Sequence, residues 1–140
     1  MKVKYTLLVA GLLTISSAFA QNDDAAFSKA VKGGDTHTVK KIVDSNPSIV
    51  HKTDKNGYTA LHNAAYHGQK IVADHLLASG ADANAAQSKH GSTPLHSAAS
   101  KKCNAGVVKS LLNKGADQTK VDNYGKTPLE YATQCKKKNK

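Results

Sequence analysis

The sequence predicts an all-α solenoid: stacked helix-turn-helix units with projecting turns. The first sign is a recurring nonapeptide. Gly57-Tyr58-Thr59-Ala60-Leu61-His62-Asn63-Ala64-Ala65 returns as Gly91-Ser92-Thr93-Pro94-Leu95-His96-Ser97-Ala98-Ala99, and again, over its first eight positions, as Gly125-Lys126-Thr127-Pro128-Leu129-Glu130-Tyr131-Ala132. The second is its spacing: the leading glycines stand 34 residues apart both times. A fixed period of this size marks units that bury their apolar faces only by stacking. The third is composition. Aromatics make up 5% of the 140 residues and tryptophan is absent, so the core is expected from Ala, Leu, Val and Ile.

Each nonapeptide position has a physical role. The glycine allows the positive φ of a tight turn. Thr59, Thr93 and Thr127 can each cap the helix that follows. Pro94 and Pro128 fall at the first helical position, where a missing N–H costs nothing. Leu61, Leu95 and Leu129, with the alanines, form a narrow apolar stripe that lets helices approach closely. Ala60 replaces proline in the first copy, and Glu130 replaces histidine in the last.

In chain order, residues 1–20 read as a secretory signal peptide. Lys2 and Lys4 precede an apolar run from Tyr5 to Ile15, and Ala18-Phe19-Ala20 provides a cleavage site with Gln21 as the new N-terminus. A retained membrane anchor is the alternative, but the run is short for a bilayer. Export to the periplasm is expected, secretion being the alternative. Residues 21–135 form the repeat domain. A divergent first unit covers about 21–53, with Ala26, Phe27, Ala30 and Val31 on one helix. Gly33-Gly34-Asp35 breaks that helix, and Val39, Ile42 and Val43 lie on a second, which Pro47 closes. The second unit covers 54–86, with helices from about Thr59 to Tyr66 and Ile71 to Ser79 and Gly80 as C-cap. The third covers 87–121. From Ala65 to Val72 is seven residues but from Ala99 to Val107 is eight, so its inter-helix turn holds one extra. The partial fourth, 122–135, has a first helix from about Thr127 to Cys135. The lysine-rich 136–140 reads as a solvated, disordered tail.

The Thr-Pro-Leu-His-x-Ala pattern, with Gly80-Ala81-Asp82-Ala83-Asn84-Ala85 and Gly115-Ala116-Asp117 in register, resembles the ankyrin repeat over nearly all of the mature chain. The resemblance implies non-catalytic binding of another protein through the turns and the concave face of the first helices. It also implies that His62 and His96 are structural, bonding to backbone near the next turn. Register then places candidate binding residues in the turns at Lys55, Asn56, Tyr58, Lys89, His90, Ser92, Asn123, Tyr124 and Lys126. Those after the alanine pairs are Tyr66, His67, Ser100 and Lys101. Tyr58, Tyr66 and Tyr124 are expected as exposed aromatics, with Tyr58, Tyr66, Lys89 and Tyr124 at the centre of the contact.

Seven histidines raise the question of metal or catalysis, but no HExxH, CxxC or GxSxG pattern occurs, and no glycine-rich phosphate loop. No catalytic residue, metal site or cofactor is expected. Net charge is +10, falling to +8 without Lys2 and Lys4, and every basic residue is lysine. That favours a protein partner with an acidic surface; the lack of arginine, which makes bidentate base contacts, disfavours nucleic acid. The mature chain is expected as a monomer without stable membrane insertion. Three uses fit: a binding module in the envelope, an immunity-type inhibitor of a toxic or degradative enzyme, or an effector secreted into a host cell.

Cys103 and Cys135 are the only cysteines. Aligning Thr93 with Thr127 sets Cys135 opposite Lys101, at the same edge of adjacent units as Cys103. Stacked helices lie about 8–10 Å apart, whereas a disulfide needs Cα atoms within about 7 Å. The extra turn residue could carry Cys103 across. An oxidising compartment favours the bond; two free thiols are the alternative.

Overall fold

The computed structural model describes residues 23–101 and 103–138; the expected signal peptide lies outside them, as do Asn139 and Lys140. Helix α1 occupies 23–33. It is followed by α2 (Thr36–Ser45), a 3-10 helix (Pro47–His51), α3 (Ala60–His67), α4 (Lys70–Ala78), α5 (Pro94–Ser100), α6 (Ala105–Asn113) and α7 (Pro128–Lys138). The described residues contain no strand, only an isolated bridge between Thr53 and Thr59. Helices α3, α5 and α7 stack in one row and α2, α4 and α6 in a second, paired within units as α3 with α4 and α5 with α6.

The helices begin where the sequence offers caps. Asp35 accepts from the Thr38 N–H at 3.1 Å to open α2. Thr59 and Thr93 head α3 and α5, and Glu130 takes the histidine's part at α7, accepting from the Thr127 N–H at 2.6 Å. Pro47 does more than close α2. It opens the 3-10 turn that buries Ile49 and Val50, a core contribution that helical periodicity does not flag. One continuous core runs from Phe27 and Val31 through Val39, Leu61, Leu76 and Leu95 to Val107 and Leu111.

Three expectations are corrected. Ala26 is exposed, leaving Phe27, Ala30 and Val31 as the buried face of α1. Helix α7 continues through Lys138 instead of ending at Cys135, so the first three tail lysines are helical. Leu129, homologous to the buried Leu61 and Leu95, is 68% exposed. Among the described residues no second helix follows α7, so nothing packs over Leu129.

The expected disulfide is present. Cys103 and Cys135 are bonded, their Cα atoms 6.3 Å apart. The extra turn residue is there as well, but the equal glycine spacing also conceals a second one. The turn before Gly57 closes with the Gly57 N–H donating to Asp54 O, and the one before Gly125 with the Gly125 N–H donating to Asp122 O. The Gly91 N–H instead donates to Gln87 O, one residue further back. Each period of 34 thus holds one added residue, first in a projecting turn and then between helices.

Neighbouring units are clasped by side chains that reach backbone. His62 Nδ1 accepts from the Thr59 N–H at 3.2 Å and lies 2.8 Å from its hydroxyl, while Nε2 sits 2.9 Å from Ser92 O in the next turn. His96 repeats this with Thr93 and Lys126 O, at 3.1 and 2.9 Å. An N–H donates only and a carbonyl accepts only, so each ring is the neutral tautomer with its proton on Nε2. At the opposite end of the unit Asn84 donates to Gly115 O at 3.0 Å and accepts from the Asp117 N–H at 2.7 Å.

Burial holds the His62 pKa below its usual 6.5, outweighing the hydrogen bonds that favour its charged form. Because the folded value lies below the unfolded one, the unfolded chain takes up the proton first. Stability from His62 is therefore complete above about pH 6.5 and declines as pH falls through that value. Urea midpoints should drop between pH 7.5 and 5.5, and His62→Gln should flatten that slope. An unchanged slope in the variant would show that other groups carry it.

Candidate functional site

The first-helix row and the turns enclose a concave groove of about 410 Å³. Its floor is the two structural histidines, each with a tyrosine edge-on: Tyr58 against His62 with ring centroids 5.7 Å apart, and Tyr131 against His96 at 5.9 Å. Tyr66, His67 and Ser100 form the side beyond the alanine pairs. Lys101 holds its ammonium 4.7 Å from the centroid of the Tyr66 ring, and Lys126 reaches within 5.8 Å of Tyr131. Such cation–π placement keeps a lysine over an aromatic face without neutralising it.

Two carboxylates, Asp54 in the groove lining and Asp122 bonded to Tyr131, are engaged by internal donors. Asp54 accepts from the N–H groups of Asn56 and Tyr58 at 2.9 and 3.0 Å. Asp122 is buried and accepts from the Tyr124 and Lys126 N–H groups at 2.9 and 3.0 Å, and from the Tyr131 hydroxyl at 2.6 Å. Burial alone would raise both carboxyl pKa values, but the donors outweigh it and hold them below the ordinary range. The hydrogen bond to Asp122, aided by burial, raises Tyr131 to about 12. Ion pairs among the described residues are Lys52–Asp24 and Lys70–Asp74. Neither neutralises Lys101 or Lys126, although Lys126 acts on Glu130 at longer range.

The structure divides the residues that register had grouped. Asn56, Tyr58, Tyr66, His67, Ser92 and Ser100 line the groove, and Lys101 leans over Tyr66. Tyr58 is half-buried, because its ring packs on His62 instead of standing free. Lys89, His90, Asn123 and Tyr124 form a separate cluster at the turn tips. There Asn123 bonds backbone of Lys89 and His90 at 3.0 and 2.8 Å, and Tyr124 stacks on His90. Tyr124 is 66% exposed and Tyr66 40%. Lys55 is exposed on its turn and borders a second groove of about 590 Å³ beside α1. Lys89 and Tyr124 are thus not at one centre with Tyr58 and Tyr66.

Sequence reasoning missed Lys32, Asp54, Asn63 and Ser97 of the groove lining and, above all, Tyr131. It occupies the nonapeptide position held by Asn63 and Ser97, which reads as neither core nor turn. The available signal was the pairing of Asp122 with Tyr131, which repeats Asp54 with Asn63 at the same separation. Among the described residues no group of three His, Cys, Asp or Glu side chains could hold a metal ion. No described helix is long and apolar enough to cross a membrane.

Tyr131→Phe removes a hydrogen bond to a charged acceptor and should lower unfolding free energy by about 1–2 kcal/mol near pH 7. The folded Tyr131 pKa is above the unfolded one, so this contribution persists up to about pH 10 and is lost as pH rises toward about 12. The gap between the denaturant midpoints of the two proteins, compared at pH 7 and 10.5, should narrow at the higher pH. Equal midpoints at pH 7 would mean that the bond contributes nothing to folding.

Comparison with known proteins agrees with this architecture. The sequence matches the family described as ankyrin repeats (3 copies) over residues 4–87 and 72–139. It is 38% identical over 101 residues to the rat ankyrin repeat and SAM domain-containing protein 6, covering 72% of this chain and 11% of that protein. Human neurogenic locus notch homolog protein 2 is 33% identical over 159 residues, covering 90% of this chain and 6% of its own. Xenopus laevis neurogenic locus notch homolog protein 1 is 27% identical over 153 residues, covering 86% and 6%. The chain therefore spans about a tenth or less of the length of these relatives, and what it shares with them is the repeat domain. With its nonapeptides, paired helices and histidine clasps in register, this chain belongs to the ankyrin-repeat family.

Proposed function

We propose that this chain is an exported, non-catalytic binding protein whose concave groove takes an acidic surface of another protein. Ankyrin-repeat domains typically mediate protein–protein interaction. The observation that carries the reading is the pair of groove tyrosines, Tyr66 and Tyr131, each with a lysine ammonium over its face, Lys101 and Lys126. Tyrosine offers broad apolar area with a polar tip. Unneutralised lysines favour acidic partners and speed their approach. The exposed His90–Tyr124 pair extends the contact to the turn tips.

Export rests on the N-terminal pattern of residues 1–20, and the Cys103–Cys135 bond fits an oxidising compartment. The periplasm is the proposed location, and the protein acts as a monomer. An immunity-type inhibitor would use the same groove against an acidic target enzyme; this is the second reading, favoured by the chain's net positive charge. Recovery of a protein starting at Gln21 from the periplasmic fraction would support export. Recovery only of protein retaining Met1 would overturn it.

Bait spanning residues 21–140 should capture a partner from envelope extract. Tyr66→Ala should weaken that capture by about 2 kcal/mol, and Lys101→Ala should slow association. Ile71→Ala, exposed on α4 away from the groove, should change neither. Association should also slow as salt rises beyond about 0.15 M. Binding that is indifferent to salt and to Tyr66 but lost with Ile71 would place the site elsewhere.

A further inference from the structure

We propose that the Cys103–Cys135 disulfide is a redox latch that holds the C-terminal part of the groove in shape and releases it on reduction. The inference rests on the groove reading for its consequence, but not for its test. It starts from the backbone at Cys103. The αL position closing the first helix of a unit is Gly34, with φ 78°, in the first unit and Gly68, with φ 71°, in the second. The same position in the third unit is Cys103, with φ 47°, the one described non-glycine residue with positive φ. The equivalence is set by hydrogen bonding. The Gln69 N–H after Gly68 donates to Ala64 O, and the Asn104 N–H after Cys103 donates to Ala98 O. A side chain in αL meets steric resistance that glycine escapes. The turn therefore carries strain while the bond holds it.

The element at the other end is covered on one side only. Helix α7 packs principally on α5. Its motif leucine is exposed, and its last turn is a run of three lysines. Cys135 is buried just before that run, where the bond ties the helix to the third unit.

Both sulfurs adjoin backbone one residue from the groove lining. Cys135 Sγ lies 3.9 Å from the carbonyl oxygen of Lys101, whose ammonium covers Tyr66. Cys103 Sγ lies 3.7 Å from the carbonyl oxygen of Ala132, next to Tyr131. Releasing the bond frees the helix that carries Tyr131 and the turn that carries Lys101 together, while the Tyr58 and His62 end of the groove remains.

The reductant is a dithiol. Its thiolate attacks Cys103 Sγ, the half-exposed partner, forming a mixed disulfide and expelling Cys135 as a thiolate. The reductant's second thiol then displaces Cys103. The pair gains two electrons and two protons, and the dithiol departs as a disulfide. The protein is set to the groove-formed state by oxidation and to the open state by reduction.

Amide hydrogen exchange of the free chain, oxidised and then treated with dithiothreitol, tests this without any partner. Reduction should speed exchange across 128–138 by at least about tenfold and leave α3 and α4 unchanged; re-oxidation should restore protection. Cys103→Ala/Cys135→Ala should match the reduced state. Cys103→Gly/Cys135→Ala, which relaxes the turn, should regain part of the protection. Equal protection of α7 in both redox states would overturn the latch. Loss spread equally through α3 and α4 would also overturn it, making the bond a staple of the whole domain. If the two double variants exchanged alike, the strained turn would have no part in the release. Failure of the groove reading would instead appear as partner binding indifferent to Tyr66 and Lys101 with the exchange result intact.

Discussion

The two-ended bond of the motif histidine is the constraint on which the rest of this structure depends. One ring nitrogen of His62 accepts from the cap of its own helix, and the other donates to Ser92 O in the next turn. A single side chain thereby sets the start of a helix and the distance to the neighbouring unit. His96 does the same toward Lys126 O. Both rings are buried, so either bond left unmade would leave a buried polar atom unsatisfied. At the last nonapeptide, Glu130 keeps only the inward half of the task, accepting from Thr127. A carboxylate cannot donate to a carbonyl, and among the described residues no further turn requires it.

That clasp also explains why the array tolerates added residues where it does. The extra residue before Gly91 bulges at a turn tip, where the buried Gln87 side chain binds the lengthened loop. Its carbonyl accepts from the Lys89 and His90 N–H groups, and its amide reaches Asn56 O. The other lies between α5 and α6, outside the span from Thr93 to His96. Neither falls between a cap and its histidine, where it would break the link to the next unit.

Charge in the groove follows from the same turn chemistry. Asp54 and Asp122 begin their turns by accepting from backbone N–H groups two and four residues on. Carboxylates spent on holding turns are poor partners for neighbouring lysines. The lysines instead lie over tyrosines, so ammonium and carboxylate both keep their charge without pairing. A structural requirement of the turns thus leaves Lys101 and Lys126 outside the ion pairs of the described residues.

The amino-acid sequence by itself determined the repeat class, the cap residues, the helix starts and the register that brings Cys103 opposite the end of α7. All of these are local, or repeat at a fixed interval. It left Ile49 and Val50 unassigned, because a 3-10 turn after Pro47 has too few residues to show a period. It could not place the residue added before Gly91, since equal glycine spacing is blind to where within a period an insertion falls. The tertiary structure alone decided which motif positions are covered. Leu129 has the same sequence surroundings as Leu61 and Leu95 and is exposed, because burial belongs to the neighbouring helix and not to the motif. Tyr58 and Tyr124 both flank turn glycines, yet one packs on a structural histidine and the other stacks at a turn tip. Tyr131 joins the groove only because stacking brings α7 beside His96. A one-dimensional pattern specifies each unit, but the faces that meet are specified by how the units stack.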